Sequence, residues 1–318
     1  MTYKKKTILI TGAAGFIGSN LCRRLLSDNH FVIGLDNFVT GSHKNIEAFK
    51  DNPNFSFIEH DLENPLTIVE PIDEIFHLAS IASPYHYQKQ PIKTLKTNTI
   101  GIYNILDLAL KHRAKIFQAS TSEIYGDPKV HPQKESYLGN VDTIGPRACY
   151  NESKRIAETL FFEYHKTYGL DIRIGRIFNT YGPQMDSSDG RVIPNFIIQC
   201  LNQKPMTIYG SGNQTRSFCY IDDLIEGILE LMKKESFFPM PINLGNDLEI
   251  SLNDLAKMIQ DLTKSDSPIL HLNKTLQDPQ RRKPDLTLAK THLNWNFSTW
   301  LKEGLIQTIH YFKSIAKD

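Results

Sequence analysis

The run Thr7-Ile8-Leu9-Ile10-Thr11 passes directly into Gly12-Ala13-Ala14-Gly15-Phe16-Ile17-Gly18, and this junction limits what the chain can fold into. A short β-branched run reads as a buried strand, and the residues after Gly15 read as the start of a helix. Glycines spaced GxxGxxG let the backbone turn tightly and approach a pyrophosphate, whose charge then sits at the helix N-terminus. The spacing differs from the commoner GxGxxG, and a glycine triplet alone suits any tight strand-to-helix turn. Its place after an N-terminal strand gives it weight. Asp36 closes a second strand-like run, 18 residues after Gly18, where a carboxylate accepts hydrogen bonds from an adenosine ribose. That carboxylate would repel a 2′-phosphate, and Asn37-Phe38-Val39-Thr40 offer no arginine to receive one. NAD is therefore expected over NADP. Asp61, closing the third strand, is a weaker candidate for the adenine edge.

Strand-like runs cover Thr7 to Thr11, Phe31 to Asp36, Phe55 to Glu59, Glu74 to Leu78, Lys115 to Ser120, Asp171 to Ile177 and Pro241 to Leu244. Between them, Ile102, Ile105, Leu106 and Ala109 recur at helical spacing, as do Ile156, Ala157, Leu160, Phe161 and Tyr164. Strands alternating with helices predict an α/β fold, a doubly wound parallel sheet of the Rossmann kind. Asn179 to Arg216 is rich in Gly, Pro and polar residues with few long periodic segments. The tail after Asn246 mixes a helix, a short strand and the Asp278 to Arg282 loop. The expected division is a dinucleotide-binding domain over 1–178 plus 217–245 and a smaller, discontinuous C-terminal substrate lobe over 179–216 plus 246–318.

Over 318 residues, Lys plus Arg number 36 against 35 Asp plus Glu, a formal net charge of +1 that speaks against general nucleic-acid binding. No apolar run reaches the roughly 20 residues that cross a bilayer. Lys4, Lys5 and Lys6 would suit a signal peptide, but the apolar run after them stops at Gly12, too soon for export. Cys22, Cys149, Cys200 and Cys219 are scattered and form no CxxC pair, so a reducing, cytoplasmic setting is expected. The eleven histidines show no HxxxH or HExxH spacing, and no metal is expected.

Tyr150 and Lys154 stand four residues apart in a helical stretch and project from one face. A tyrosine ionises near ~10, and a neighbouring ammonium favours the phenolate. Making it a base at neutral pH takes roughly 4 kcal/mol of differential stabilisation, to which a positively charged nicotinamide ring contributes. YxxxK is common by chance on surface helices. It gains meaning after a dinucleotide turn and after Ala119-Ser120-Thr121-Ser122-Glu123, which ends a strand where such sheets bind ligands.

These motifs together resemble the extended short-chain dehydrogenase/reductase family. The resemblance narrows to its UDP-glucuronate decarboxylase branch. It rests on His77-Leu78-Ala79-Ser80, Ala119 to Asp127, Gly145-Pro146-Arg147-Ala148-Cys149-Tyr150, Arg176 to Pro183, Tyr209 to Arg216 and Asp278 to Asp285, and it covers nearly the whole chain. Tyr85 after Pro84, and Asn151 and Ser153 beside Tyr150, depart from the usual pattern without removing a needed functional group. Membrane-anchored members carry an N-terminal segment, and no such anchor is expected here.

The resemblance implies decarboxylation of UDP-glucuronate to UDP-xylose through a UDP-4-keto intermediate, with bound NAD recycled. Tyr150, assisted by Lys154, would take the C4 hydroxyl proton while C4 hydride passes to NAD, and Thr121 or Ser122 would hydrogen-bond that oxygen. Arg282 would orient the carboxylate and relay a proton to C5, with Glu123 positioning water and the arginine. Cofactor contacts are expected from Gly12, Gly15, Phe16, Ile17, Gly18, Asp36, Asn37, Phe38, Thr40, Gly41, Asp61, Leu62, Leu78, Ala79, Ser80, Ser120, Tyr150 and Lys154. Substrate contacts are expected from Lys96, Asn179, Arg191, Tyr209, Gln214, Arg216 and Arg282, arginine being suited to bidentate phosphate binding. A homodimer through a four-helix bundle is implied by analogy. A 4-epimerase, a 4,6-dehydratase, an oxidative decarboxylase and a non-catalytic NAD-sensing protein remain the alternatives. Ser122 argues against the dehydratase, and Tyr150 with Lys154 against the non-catalytic protein.

Overall fold

The computed structural model describes residues 5–235, 240–273 and 281–315. Lys4 and, from the tail motif, Asp278, Pro279 and Gln280 lie outside the described residues. The main sheet is built from β1 (Thr7–Thr11), β2 (Phe31–Asp36), β3 (Phe55–Glu59), β4 (Glu74–His77), β5 (Lys115–Thr121), β6 (Ile172–Ile177) and β7 (Ile242–Leu244). Their spatial order is β7-β6-β5-β4-β1-β2-β3. The doubly wound sheet expected from the alternation is present. β1 pairs in parallel with both β2 and β4, so the chain leaves one side of the sheet at β3 and resumes on the other. That reversal opens a crevice at the carboxyl ends of β1 and β4, where sheets of this type take ligands. Four predicted strands are off by one residue at an end: Leu78, Asp171 and Pro241 fall outside, and Thr121 falls inside.

The chain divides into two compact units: residues 1–124, 142–176 and 228–241, and residues 125–141, 177–227 and 242–318. In the first, α1 (Phe16–Ser27), α2 (Ile100–His112) and α3 (Ala148–Tyr168) flank the sheet. Ile102, Ile105, Leu106 and Ala109 of α2 are buried with Ala157 and Phe161 of α3 against Leu9, Ile33, Ile75, Ile116 and Ile172. Each such aliphatic side chain contributes about 1.5–3 kcal/mol when fully buried. Ile156 departs from the expected apolar stripe: it is 50% exposed, because it sits one residue, about 100° round the helix, from buried Ala157.

The second unit holds a three-stranded sheet in the order Glu249–Ser251, Thr215–Ser217, Arg281–Arg282, and a parallel pair of Met206–Tyr209 with Ile269–Leu272. Its helices include Val192–Leu201, Leu252–Thr263 and Leu301–Ile315. The first corrects the expectation of little periodic structure between Asn179 and Arg216. Ile193, Phe196, Ile197 and Cys200 are buried at helical spacing, and Pro194 falls in the first turn, where its missing N–H costs nothing. The tail likewise carries a second helix beyond the one expected.

Candidate active site

β1 ends at Thr11, and Gly12 turns the chain with a φ of +74°, a backbone that only glycine adopts without strain. A Cβ there would lie 2.8 Å from the Ala79 nitrogen, and one on Gly18 would collide with the Gly12 carbonyl oxygen. The turn is thereby packed directly on the start of α1, whose N-cap Gly15 provides no side-chain cap. The first-turn N–H groups of that helix remain available to an anion. Asp36 closes the other side. Its two carboxylate oxygens accept from Ala14 N and Phe38 N, both at 2.9 Å, which fixes the carboxylate against the turn. Burial pushes the Asp36 pKa up, and those two N–H donors oppose the shift.

An open cleft results, lined by nine of the expected cofactor residues: Gly12, Gly15, Asp36, Asn37, Thr40, Leu62, Leu78, Ala79 and Ser80. The Ser80 hydroxyl is buried without a hydrogen-bond partner among the described residues, as fits a group kept for a ligand. The glycine cradle, the Asp36 carboxylate and this hydroxyl suit NAD, and among the described residues no arginine lines the cleft to meet a 2′-phosphate. Phe16, Ile17, Gly18, Phe38, Gly41, Asp61, Ser120, Tyr150 and Lys154 are not part of the lining. Asp61 is instead ion-paired to Lys93, which also binds Glu63 at 2.8 Å and does line the cleft. Lys96, four-fifths of a turn further along the helix Pro91–Thr97 that carries Lys93, is exposed. Lys93, His60 and Val39 therefore joined the cleft without having been singled out; the helical signal around Pro91 to Thr97 is too short to orient its faces from spacing.

The second cluster is centred on α3. Lys154 is 3% exposed, donates a hydrogen bond of 2.9 Å to Ala119 O and places Nζ 5.9 Å from the Tyr150 ring centroid. Burial brings its pKa down to about 8, with the Glu158 carboxylate opposing. Glu158 lies one turn further along α3. It receives Arg176 of β6 in a two-pronged ion pair at 2.8 and 3.0 Å and accepts from Ser120 of β5. Ser120 is thus engaged with Glu158. Thr121 and Ser122 are buried, and Thr121 Oγ1 accepts from Glu123 N at 3.2 Å, capping the short turn Ser122–Tyr125. Glu123 pairs with Arg147 at 3.2 Å. Ser153 accepts from Asn98 at 2.9 Å and donates to Tyr150 O at 3.0 Å, so it anchors the turn that carries Tyr150.

His77 lies beneath both clusters. Thr11 Oγ1 accepts from Leu78 N and Ala79 N, so its proton goes to His77 Nδ1, 2.8 Å away. Burial and the Lys154 charge bring the His77 pKa down to about 3, and the ring is neutral at physiological pH.

In the second unit, Arg282 stands opposite Arg216 in the strand register, and its Nη2 donates to Gly126 O at 2.8 Å. Arg216 donates to Thr215 O at 2.9 Å, Arg191 pairs with Asp189 at 3.1 Å, and Gln214 donates to the carbonyl of half-exposed Tyr209 at 2.7 Å. Asn179 follows β6 and its carbonyl accepts from Cys219 N at 2.9 Å.

Residues 8–245 match the model of the NAD dependent epimerase/dehydratase family. The Xenopus tropicalis protein named UDP-glucuronic acid decarboxylase 1 is 51% identical over 97% of this chain and 72% of its own length. UDP-glucuronic acid decarboxylase 6 of Arabidopsis thaliana is 49% identical over 94% of this chain and 86% of its own. Among solved structures, a UDP-glucuronic acid 4-epimerase from Bacillus cereus, in complex with UDP-glucuronic acid and NAD, aligns with a TM-score of 0.89 and 30% identity over 97% of this chain and 99% of that one. With the glycine turn, the buried Tyr150–Lys154 pair and these similarities in agreement, the chain belongs to the NAD dependent epimerase/dehydratase family.

Proposed function

We propose that this protein is an NAD-dependent decarboxylase that converts UDP-glucuronate to UDP-xylose and carbon dioxide through a UDP-4-keto intermediate. The observation that carries the proposal is the buried Tyr150–Lys154 pair, with Thr121 ending β5 and Ser122 and Glu123 in the turn after it, in a chain about half identical to the named decarboxylases. NAD, held by Gly12, Gly15, Asp36 and Ser80, would supply a hydride acceptor for the sugar and a donor for its return. Tyr150 removes the C4 hydroxyl proton, and the Lys154 ammonium favours the phenolate that does so. Thr121 or Ser122 holds the same oxygen. A C4 ketone is β to the C6 carboxylate, so carbon dioxide leaves with its bonding electrons delocalised into an enolate. Protonation at C5 follows. Arg282 is assigned to orient the carboxylate and relay that proton, with Glu123 as its acidic partner in the chemistry.

The remaining assignments belong to the same proposal. Phe16, Ile17, Gly18, Phe38, Gly41 and Asp61 support the cofactor, and Lys96, Asn179, Arg191, Tyr209, Gln214 and Arg216 hold the uridine diphosphate sugar. The nucleotide and substrate roles divide as the expected domains do. Among the described residues no helix is long and apolar enough to cross a membrane. The four cysteines are free thiols, which supports a reducing, cytoplasmic setting. A homodimer through α2 and α3 is supported by half-exposed Ile100, Tyr103 and Ile156 on those two helices.

The likeness to a UDP-glucuronic acid 4-epimerase favours a second reading, inversion at C4 with the carboxylate retained. Incubation with UDP-glucuronate, following carbon dioxide, the sugar product and NADH absorbance, separates the two. UDP-xylose without net NADH is expected. UDP-galacturonate would establish the epimerase, stoichiometric NADH an oxidative decarboxylase, and no turnover by NAD-loaded protein would overturn all three.

A further inference from the structure

Tyr87 belongs to the short helix Pro84–Lys89, and its ring lies flat on that of Tyr150, with centroids 5.1 Å apart and planes within 2°. It is 1% exposed, packed in one apolar cluster with Ile81 and Tyr150. Its hydroxyl is buried and makes no hydrogen bond among the described residues. A buried hydroxyl left unmet is costly, and such groups persist in sites where a ligand meets them. The charged groups that act on this hydroxyl are Arg147 first and Glu123 second, so the stronger influence is positive and favours an anionic acceptor. Burial pushes the Tyr87 phenol far up, and it stays a proton donor at every working pH. The stack sets the Tyr87 ring against that of the group assigned to deprotonate the sugar, and its hydroxyl lies within the electrostatic reach of Arg147, Glu123 and Tyr150.

We propose that the Tyr87 hydroxyl donates a hydrogen bond to the carboxylate of the bound uronate, and so selects a uronic acid sugar over its neutral hexose. The inference rests on the UDP-glucuronate assignment. Its basis in physics is that a hydrogen bond to a charged acceptor is roughly twice as strong as one between neutral groups. Tyr87 is not replaced in this role by Arg147, which is already engaged with Glu123.

Tyr87→Phe removes the hydroxyl and keeps the ring that stacks on Tyr150. Expected is a rise in KM for UDP-glucuronate of about tenfold, with inhibition constants for UDP-glucose and UDP changed less than about twofold. NAD content and the melting temperature without substrate should be unchanged, since no protein group loses a partner. Equal weakening of all three ligands, or no change in any, would overturn the inference, as would a marked fall in melting temperature. The parent protein supplies the separate control. If it binds UDP-glucose as well as UDP-glucuronate, the uronate assignment itself fails. If it discriminates and Tyr87→Phe discriminates equally, only the role of Tyr87 fails.

Discussion

Moving the Lys154 ammonium out of water lowers its pKa from 10.5 to about 8, which costs the folded chain roughly 3 kcal/mol at neutral pH. The unfolded chain holds this proton more tightly. The cost is therefore full below pH 8 and is relieved as pH rises from 8 towards 10.5. Lys154→Met should abolish turnover, and the parent should gain about 2 kcal/mol on this variant between about pH 7 and 9.5. Urea titrations at a series of pH values check this; a constant difference would contradict it. His77 titrates in the other window. With its folded pKa near 3 against 6.5, its neutral ring stabilises the fold above pH 6.5 and that contribution is lost as pH falls towards 3. Between about pH 7 and 5 the parent should lose about 2 kcal/mol more than His77→Asn. That Tyr150 and Lys154 share one helix face was legible from their spacing, while the roles proposed for them rest on the motifs around them. The neutral state of His77 was not, because it depends on burial and on a charge 77 residues away in the sequence.

At the scale of elements, one buried ion pair joins strand to helix. Glu158 on α3 and Arg176 on β6 are each 8% exposed, and Ser120 on β5 donates to the same carboxylate. Removing one partner strands a buried charge, at about 3–5 kcal/mol, whereas removing both leaves none. Arg176→Met should therefore destabilise by about that amount, and Arg176→Met with Glu158→Met by clearly less. Chemical denaturation measures the difference, and equal losses would show that packing, not charge, dominates. The main strands could be read from β-branched runs because both faces are covered and the runs are almost wholly apolar. The helix Val192–Leu201 escaped, since a Gly- and Pro-rich neighbourhood masks a period carried by only four residues. Spacing alone likewise leaves open whether Ile156 or Ala157 meets the sheet: adjacent apolar residues do not tell which of two neighbouring faces is buried.

For the whole molecule, half-exposed Tyr103 and Ile156 on α2 and α3 make oligomerisation the natural test. The parent should sediment as a dimer, and Tyr103→Lys with Ile156→Lys as a folded monomer; a monomeric parent would refute the four-helix interface. By itself the sequence determined the doubly wound sheet, the glycine turn, Asp36 and the YxxxK pair, because each depends on residues close in the chain and on short-range geometry. Only the tertiary structure decided which lysine lines the cleft, that Ser120 is tied to Glu158, that Glu123 pairs with Arg147, and that Tyr87 lies against Tyr150 with its hydroxyl unmet by any described residue. Those outcomes depend on burial and on partners from separate strands and helices, and local spacing carries no information about either.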